Sequence, residues 1–135
     1  MNPTAAPGPL ARLLTLLKPR RDGRSAATAE REFAQRLAQA FQRQGWQVVD
    51  AAPGRHVDLV LRRERETHFV QWRGWREAKV DMEPLVGLQA AMAKGGAAGG
   101  IVVTQGAFGR RATAFAARSN IRLIDGPLLA RMLKA

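Results

Sequence analysis

Three residues near the middle of the chain carry side chains that could act together on a polyanion. Asp58 lies in "HVDLVLRR", and Gln71 and Arg73 lie in "THFVQWR". A carboxylate and an amide oxygen are hard donors that suit a hard cation. A guanidinium pairs with phosphate through its planar fork but cannot lose a proton near neutral pH, so it can hold an anion and cannot serve as a base. The chain has no cysteine and only two well-separated histidines, His56 and His68, so any metal here would be held by oxygen. Taken alone, a strand carboxylate is also what the solvent face of a one-sided sheet carries. Whether the three residues form a site therefore depends on the elements that hold them.

Alternation puts Val57, Leu59 and Leu61 on one face of a strand over 56–63, with Asp58 and Val60 on the other. The next strand, 67–73, follows after only "ERE" and makes an antiparallel hairpin. In it Gln71 and Arg73 share a face, and Val70 and Trp72 take the opposite one. Upstream, Phe33, Leu37, Ala40 and Phe41 recur at helical spacing from Ala29 until Gly45 stops the helix, and "WQVVD" reads as a short strand. Downstream, Asp81 caps a helix with Pro84 in its first turn and an apolar stripe of Leu85, Leu88 and Met92, which "GGAAGG" ends. "GIVVT" has the continuous apolar character of a strand covered on both faces. A helix over 109–119, the strand "IRLI" and a terminal helix opened by Asp125-Gly126-Pro127 complete the order α-β-β-β-α-β-α-β-α. The fold class is α/β, a mixed sheet flanked by helices with a C-terminal β-α extension.

A chain of 135 residues, 46% of them apolar, supports a single core. Residues 1–28 read as a flexible basic arm, with five basic residues against one acid, and 29–135 as the domain. The arm's leucine cluster, Leu10 to Leu17, is too short to span a bilayer, and no cationic signal-peptide segment precedes it. A cytoplasmic protein is the simplest expectation. The net charge of +11 makes polyanions the natural partners. The excess of arginine, 18 against four lysines, fits phosphate recognition and equally fits a GC-rich genome.

The ordered series of helix, three strands, helix and strand, with Asp58 on the second strand and Gln71-Trp72-Arg73 on the third, resembles the PD-(D/E)xK nuclease superfamily. More narrowly it resembles the Mrr-type restriction endonuclease domain, whose third strand reads Gln-Cys-Lys, followed by a Trp-Arg pair and a Lys-Val leading into a helix. Trp75-Arg76 and Lys79-Val80 match those pairs, and "GGIVVTQGAFGRRATAFAARSNIRLIDGPLL" matches the family's closing strand, helix and strand. The resemblance runs from about Glu32 to Leu133. It implies that Asp58 and Gln71 hold a divalent metal, Mg2+, for phosphodiester hydrolysis. It also implies that Arg73, Arg76, Lys79, Arg110 and Arg111 contact DNA phosphates.

Three departures qualify that reading. Arg73 stands in place of the family lysine, Ala34 stands where the first helix carries a glutamate after its Phe, although Glu32 remains, and the acidic glycine loop before the aspartate is shortened to "GRHVD". They imply a degenerate active site with cleavage weakened or lost. The alternative is a non-catalytic nucleic-acid-binding or protein-interaction module on the nuclease fold. Duplex cleavage needs two sites, so a homodimer is compatible with either.

Overall fold

The computed structural model describes residues 26–49, 56–73 and 78–134. The first 25 residues of the arm, residues 50–55, and Trp75 and Arg76 lie outside these residues. Among the described residues, four helices and seven short strands follow in chain order: α1 (Ala26–Arg43), β1 (Gln47–Val49), β2 (Leu59–Arg63), β3 (Glu66–Trp72), β4 (Lys79–Val80), α2 (Met82–Gly95), β5 (Gly99–Val103), β6 (Ala107–Phe108), α3 (Arg110–Arg118), β7 (Ile121–Ile124) and α4 (Gly126–Lys134).

Five strands form one mixed sheet in the order β1-β2-β3-β5-β7. The two hairpin pairings are antiparallel, with Leu61 opposite His68, while β3–β5 and β5–β7 are parallel. Parallel pairing requires crossovers, and α2 and α3 supply them. The central strands are covered on both faces, which is why "GGIVV" of β5 is apolar throughout and wholly buried.

Alternation divides the side chains into two apolar clusters. On one face Leu59, Leu61, Val70, Trp72, Ile101, Val103 and Ile124 meet Leu37, Ala40 and Phe41 of α1 and Leu129 and Met132 of α4. On the other, Val60, Phe69 and Val102 meet Leu85, Leu88 and Met92 of α2 and Ala112 and Ala116 of α3. Local signals hold the helices in register. Asp81 Oδ1 accepts a hydrogen bond from Met82 N at the start of α2, and Gly96 closes that helix at φ 72°, a left-handed geometry that costs glycine little.

One sequence expectation is extended and one needs correction. Lys79-Val80 leads into α2 as expected and also forms strand β4, which pairs in parallel with β6 as a separate two-stranded sheet. Two residues give no periodicity, so only the tertiary partner reveals them. Val57 does not share a face with Leu59 and Leu61 but joins Val60 in the second cluster. The regular strand begins at Leu59, and a slip in the ladder just before it exchanges the faces.

The helix α1 depends on the first cluster for its docking, and Phe41 is fully buried there. Phe41→Ala is expected to lower the unfolding free energy by about 3–5 kcal/mol, measured by urea denaturation.

Candidate functional site

The slip occurs at Asp58. Leu59 pairs with Val70, yet Asp58 N also donates to the Val70 carbonyl at 2.7 Å, so two residues of one strand face one of the other. This is a β-bulge, and it re-aims the side chain next to it. The Asp58 carboxylate turns along the sheet, where Oδ2 accepts a hydrogen bond from Trp72 N at 2.8 Å. A side chain thus takes the place of a ladder carbonyl. Asp58 is only 4% exposed, which excludes the solvent-facing reading of this residue.

Trp72 N belongs to the peptide that follows Gln71, so the bulge brings the carboxylate to within one peptide of the amide side chain. Gln71 is 2% exposed. Its Nε2 donates to two main-chain carbonyls, His56 O and Pro84 O, each at 3.1 Å. Two acceptors on one side settle which end of the amide is nitrogen. The other end, Oε1, is buried with no hydrogen-bond partner. Leaving a buried carbonyl oxygen unsatisfied costs about 1–3 kcal/mol, and such an orphan calls for a partner of the kind a cation or ordered water supplies.

Arg73 follows the end of β3, half-buried, and its N donates to Val103 O at 2.9 Å. Asp58, Gln71 and Arg73 thus lie along the backbone at one end of the central strands. Thr104, at the adjoining end of β5, is fully buried, and its Oγ1 accepts from Gly106 N, which makes it a turn residue. Among the described residues no group of three or more His, Cys, Asp or Glu side chains gathers for a metal. A cation bound here would be held by Asp58, by Gln71 Oε1 and by oxygens of solvent or substrate, a donor set that suits Mg2+, which keeps several waters.

The remaining sequence candidates separate. Lys79, in β4, lies over Gly109, the N-cap of α3, with its Cδ 3.5 Å from where a Cβ of that glycine would be. Exposed Arg110 and Arg111 open α3 immediately beyond. The small β4–β6 sheet therefore brings Lys79 close to a pair of arginines that lies far from it in sequence. Arg76 lies outside the described residues. His68 packs its ring 4.6 Å from that of Trp46, which also carries the Arg63 guanidinium at 3.9 Å. Trp72 fills the core against Phe33, at 4.4 Å between rings. Ala34, where the resemblance would place a glutamate, is 1% exposed within the first apolar cluster. The contributions of His56 O and Pro84 O could not be read from residue types, because every residue has a carbonyl.

These contacts predict distinct costs for two substitutions at Asp58. Asp58→Ala leaves Trp72 N buried without an acceptor and should destabilise by about 1–3 kcal/mol. Asp58→Asn retains an oxygen for that bond and should lie closer to the parent, as thermal or urea unfolding would measure.

Comparison with known proteins agrees with this architecture. The Mrr catalytic-domain family, described as restriction endonuclease, matches residues 26–133. The MspJI restriction endonuclease, solved in complex with a 27-mer oligonucleotide, superposes with a TM-score of 0.58 at 21% identity, covering 91% of this chain and 30% of that one. The DNA modification-dependent restriction endonuclease AspBHI gives 0.60 at 12% identity, covering 93% and 35%. AF1548, a protein of unknown function, gives 0.58 at 15% identity, covering 70% and 61%. At these identities the structural likeness concerns the fold alone, and the chain spans about a third of the length of the two endonucleases. No curated protein matches the sequence. With a family match that takes in nearly all of the described domain, and with the mixed sheet and helices that restriction endonucleases share, the chain belongs to the Mrr catalytic-domain family of restriction endonucleases.

Proposed function

We propose that this domain binds DNA and retains the metal-holding half of a phosphodiester-hydrolysing site, with Arg73 weakening the chemistry that the site can perform. The observation that carries the reading is the buried, unpartnered Oε1 of Gln71, one peptide from the buried carboxylate of Asp58. Both oxygens are fixed by main-chain contacts before any ligand arrives. When bound, a divalent cation such as Mg2+ would supply charge for a phosphoryl oxygen and lower the pKa of a water.

The protein's own groups account for the rest. Asp58 and Gln71 orient the oxygen donors. Arg73 neutralises phosphate charge but cannot take a proton from water, so the general-base contribution is what the lysine's replacement removes. Ala34, packed among apolar side chains, leaves the helix carboxylate unreplaced. These two positions favour the second reading, a domain that holds DNA without cutting it.

DNA contact is supported by charge, with 17 basic against 10 acidic side chains in residues 29–135. Arg110 and Arg111 also open a helix that has no acidic residue in its first turn, where cations oppose the helix dipole. A bound phosphate would reverse that penalty. Lys79, Arg73 and Arg76 complete the proposed phosphate contacts, and duplex affinity should fall steeply as salt rises. Affinity that ignores salt would contradict this.

Calorimetric titration of Mg2+ and Mn2+, with and without duplex DNA, separates the two readings at the level of metal binding. Retained binding that Asp58→Asn abolishes supports the metal site, and no binding in either condition leaves the clamp. For the chemistry, Arg73→Lys should raise Mg2+-dependent plasmid nicking on the order of tenfold or more, and adding Asp58→Asn should remove the gain. Adding Ala34→Glu is unsuitable for this test, since it would bury a carboxylate in an apolar cluster.

A further inference from the structure

Gly87 lies in the interior of α2, where glycine is less favourable than alanine by about 1 kcal/mol. Its backbone does not require glycine's freedom, since Gly45 and Gly96 are the described glycines with positive φ. What the position lacks is room. A Cβ there would lie 2.5 Å from both Cε1 and Nδ1 of His56 and 2.8 Å from its Nε2. The imidazole of His56, an exposed residue, therefore rests on the helix backbone, and a side chain at position 87 would have to push it off.

The same two segments are joined a second time through Gln71. Its Nε2 bridges His56 O and Pro84 O, and Pro84 lies three residues before Gly87 on the same helix. The ring contact thus adds to the packing of buried Val57 in setting how closely the segment carrying His56 and Asp58 approaches α2, and the amide fits the gap that results. Widening that gap by a methyl group would leave Nε2 able to reach one carbonyl at a time and free the carboxamide to turn. Oε1 would then lose the orientation that the two bonds impose.

We infer that Gly87 and the His56 ring form a positioning pair that fixes the aim of Gln71 Oε1, and through it the affinity for a divalent cation. The cation part rests on the metal reading above. Neither residue touches the cation itself; they act by holding a ligand still, the kind of supporting contact whose loss weakens metal binding by roughly 10- to 100-fold.

The test compares the full chain with Gly87→Ala, His56→Ala and the double variant. Three quantities are measured: Mn2+ affinity in the presence of a duplex oligonucleotide, the melting temperature, and the NMR resonances of the Gln71 side-chain amide. Gly87→Ala is expected to weaken Mn2+ binding by roughly tenfold or more and to shift the Gln71 amide signals. Helix propensity acts the other way on stability, so weaker binding in a protein that melts no lower cannot be ascribed to unfolding. Because the damage arises from a clash with the imidazole, Gly87→Ala should add no further loss in the His56→Ala background. The proposal is overturned if Gly87→Ala leaves Mn2+ affinity and the Gln71 signals unchanged, or if its effect persists undiminished once the imidazole is gone. Should the parent bind no Mn2+ at all, the metal reading fails, and the Gln71 resonances still decide whether the pair positions the amide.

Discussion

The hydrogen bond from Trp72 N to the Asp58 carboxylate is the contact on which the candidate site depends. A regular antiparallel ladder would present a carbonyl at that point and would leave the aspartate facing one apolar layer or the other. By doubling two residues against Val70, the chain frees the carboxylate to lie along the sheet and end the pairing. The same slip sends Val57 across to the α2 face, where it is fully buried. A buried carboxyl group is tolerable only with hydrogen-bonding partners, and the bulge supplies one while keeping the group at the sheet's end.

Gln71 is held by a different logic. Its nitrogen is saturated by two carbonyls from separate elements, and its oxygen is left buried and unsatisfied. A domain that only needed to fold would gain by placing an apolar side chain there. Retaining the amide, with an interior helical glycine that lets His56 close against α2, trades stability for a fixed oxygen. Departures from local stability at one place, and in one direction, support the proposed ligand site.

The basic surface obeys a looser constraint. Net charge belongs to the whole sequence, but Lys79 reaches the start of α3 only because β4 and β6 pair. That two-stranded sheet joins the segments that lead into α2 and α3 and collects cations at a helix end that disfavours them. The packing of Trp46 with Arg63 and His68, by contrast, uses similar residue types at the opposite end of the strands and joins them to one another.

The periodicity of Leu37, Ala40 and Phe41, the Asp81 cap, the Gly96 stop and the continuous apolar run of β5 made the α/β class and the order of the main elements readable from residues alone, because each is a local preference. The candidates Asp58, Gln71 and Arg73 were legible for the same reason: adjacent strands in a tight hairpin have few ways to pair. Asp58's orientation was not legible, since a bulge arises from the ladder as a whole and a one-residue slip leaves no mark in the strand's composition. Nor were β4 and β6, too short for any period, or the clamp on Gln71, made by main-chain carbonyls that every residue possesses. Residue type determined which groups were available to this protein; the tertiary structure decided which of their atoms meet, because that depends on register, on burial and on the space a missing Cβ leaves.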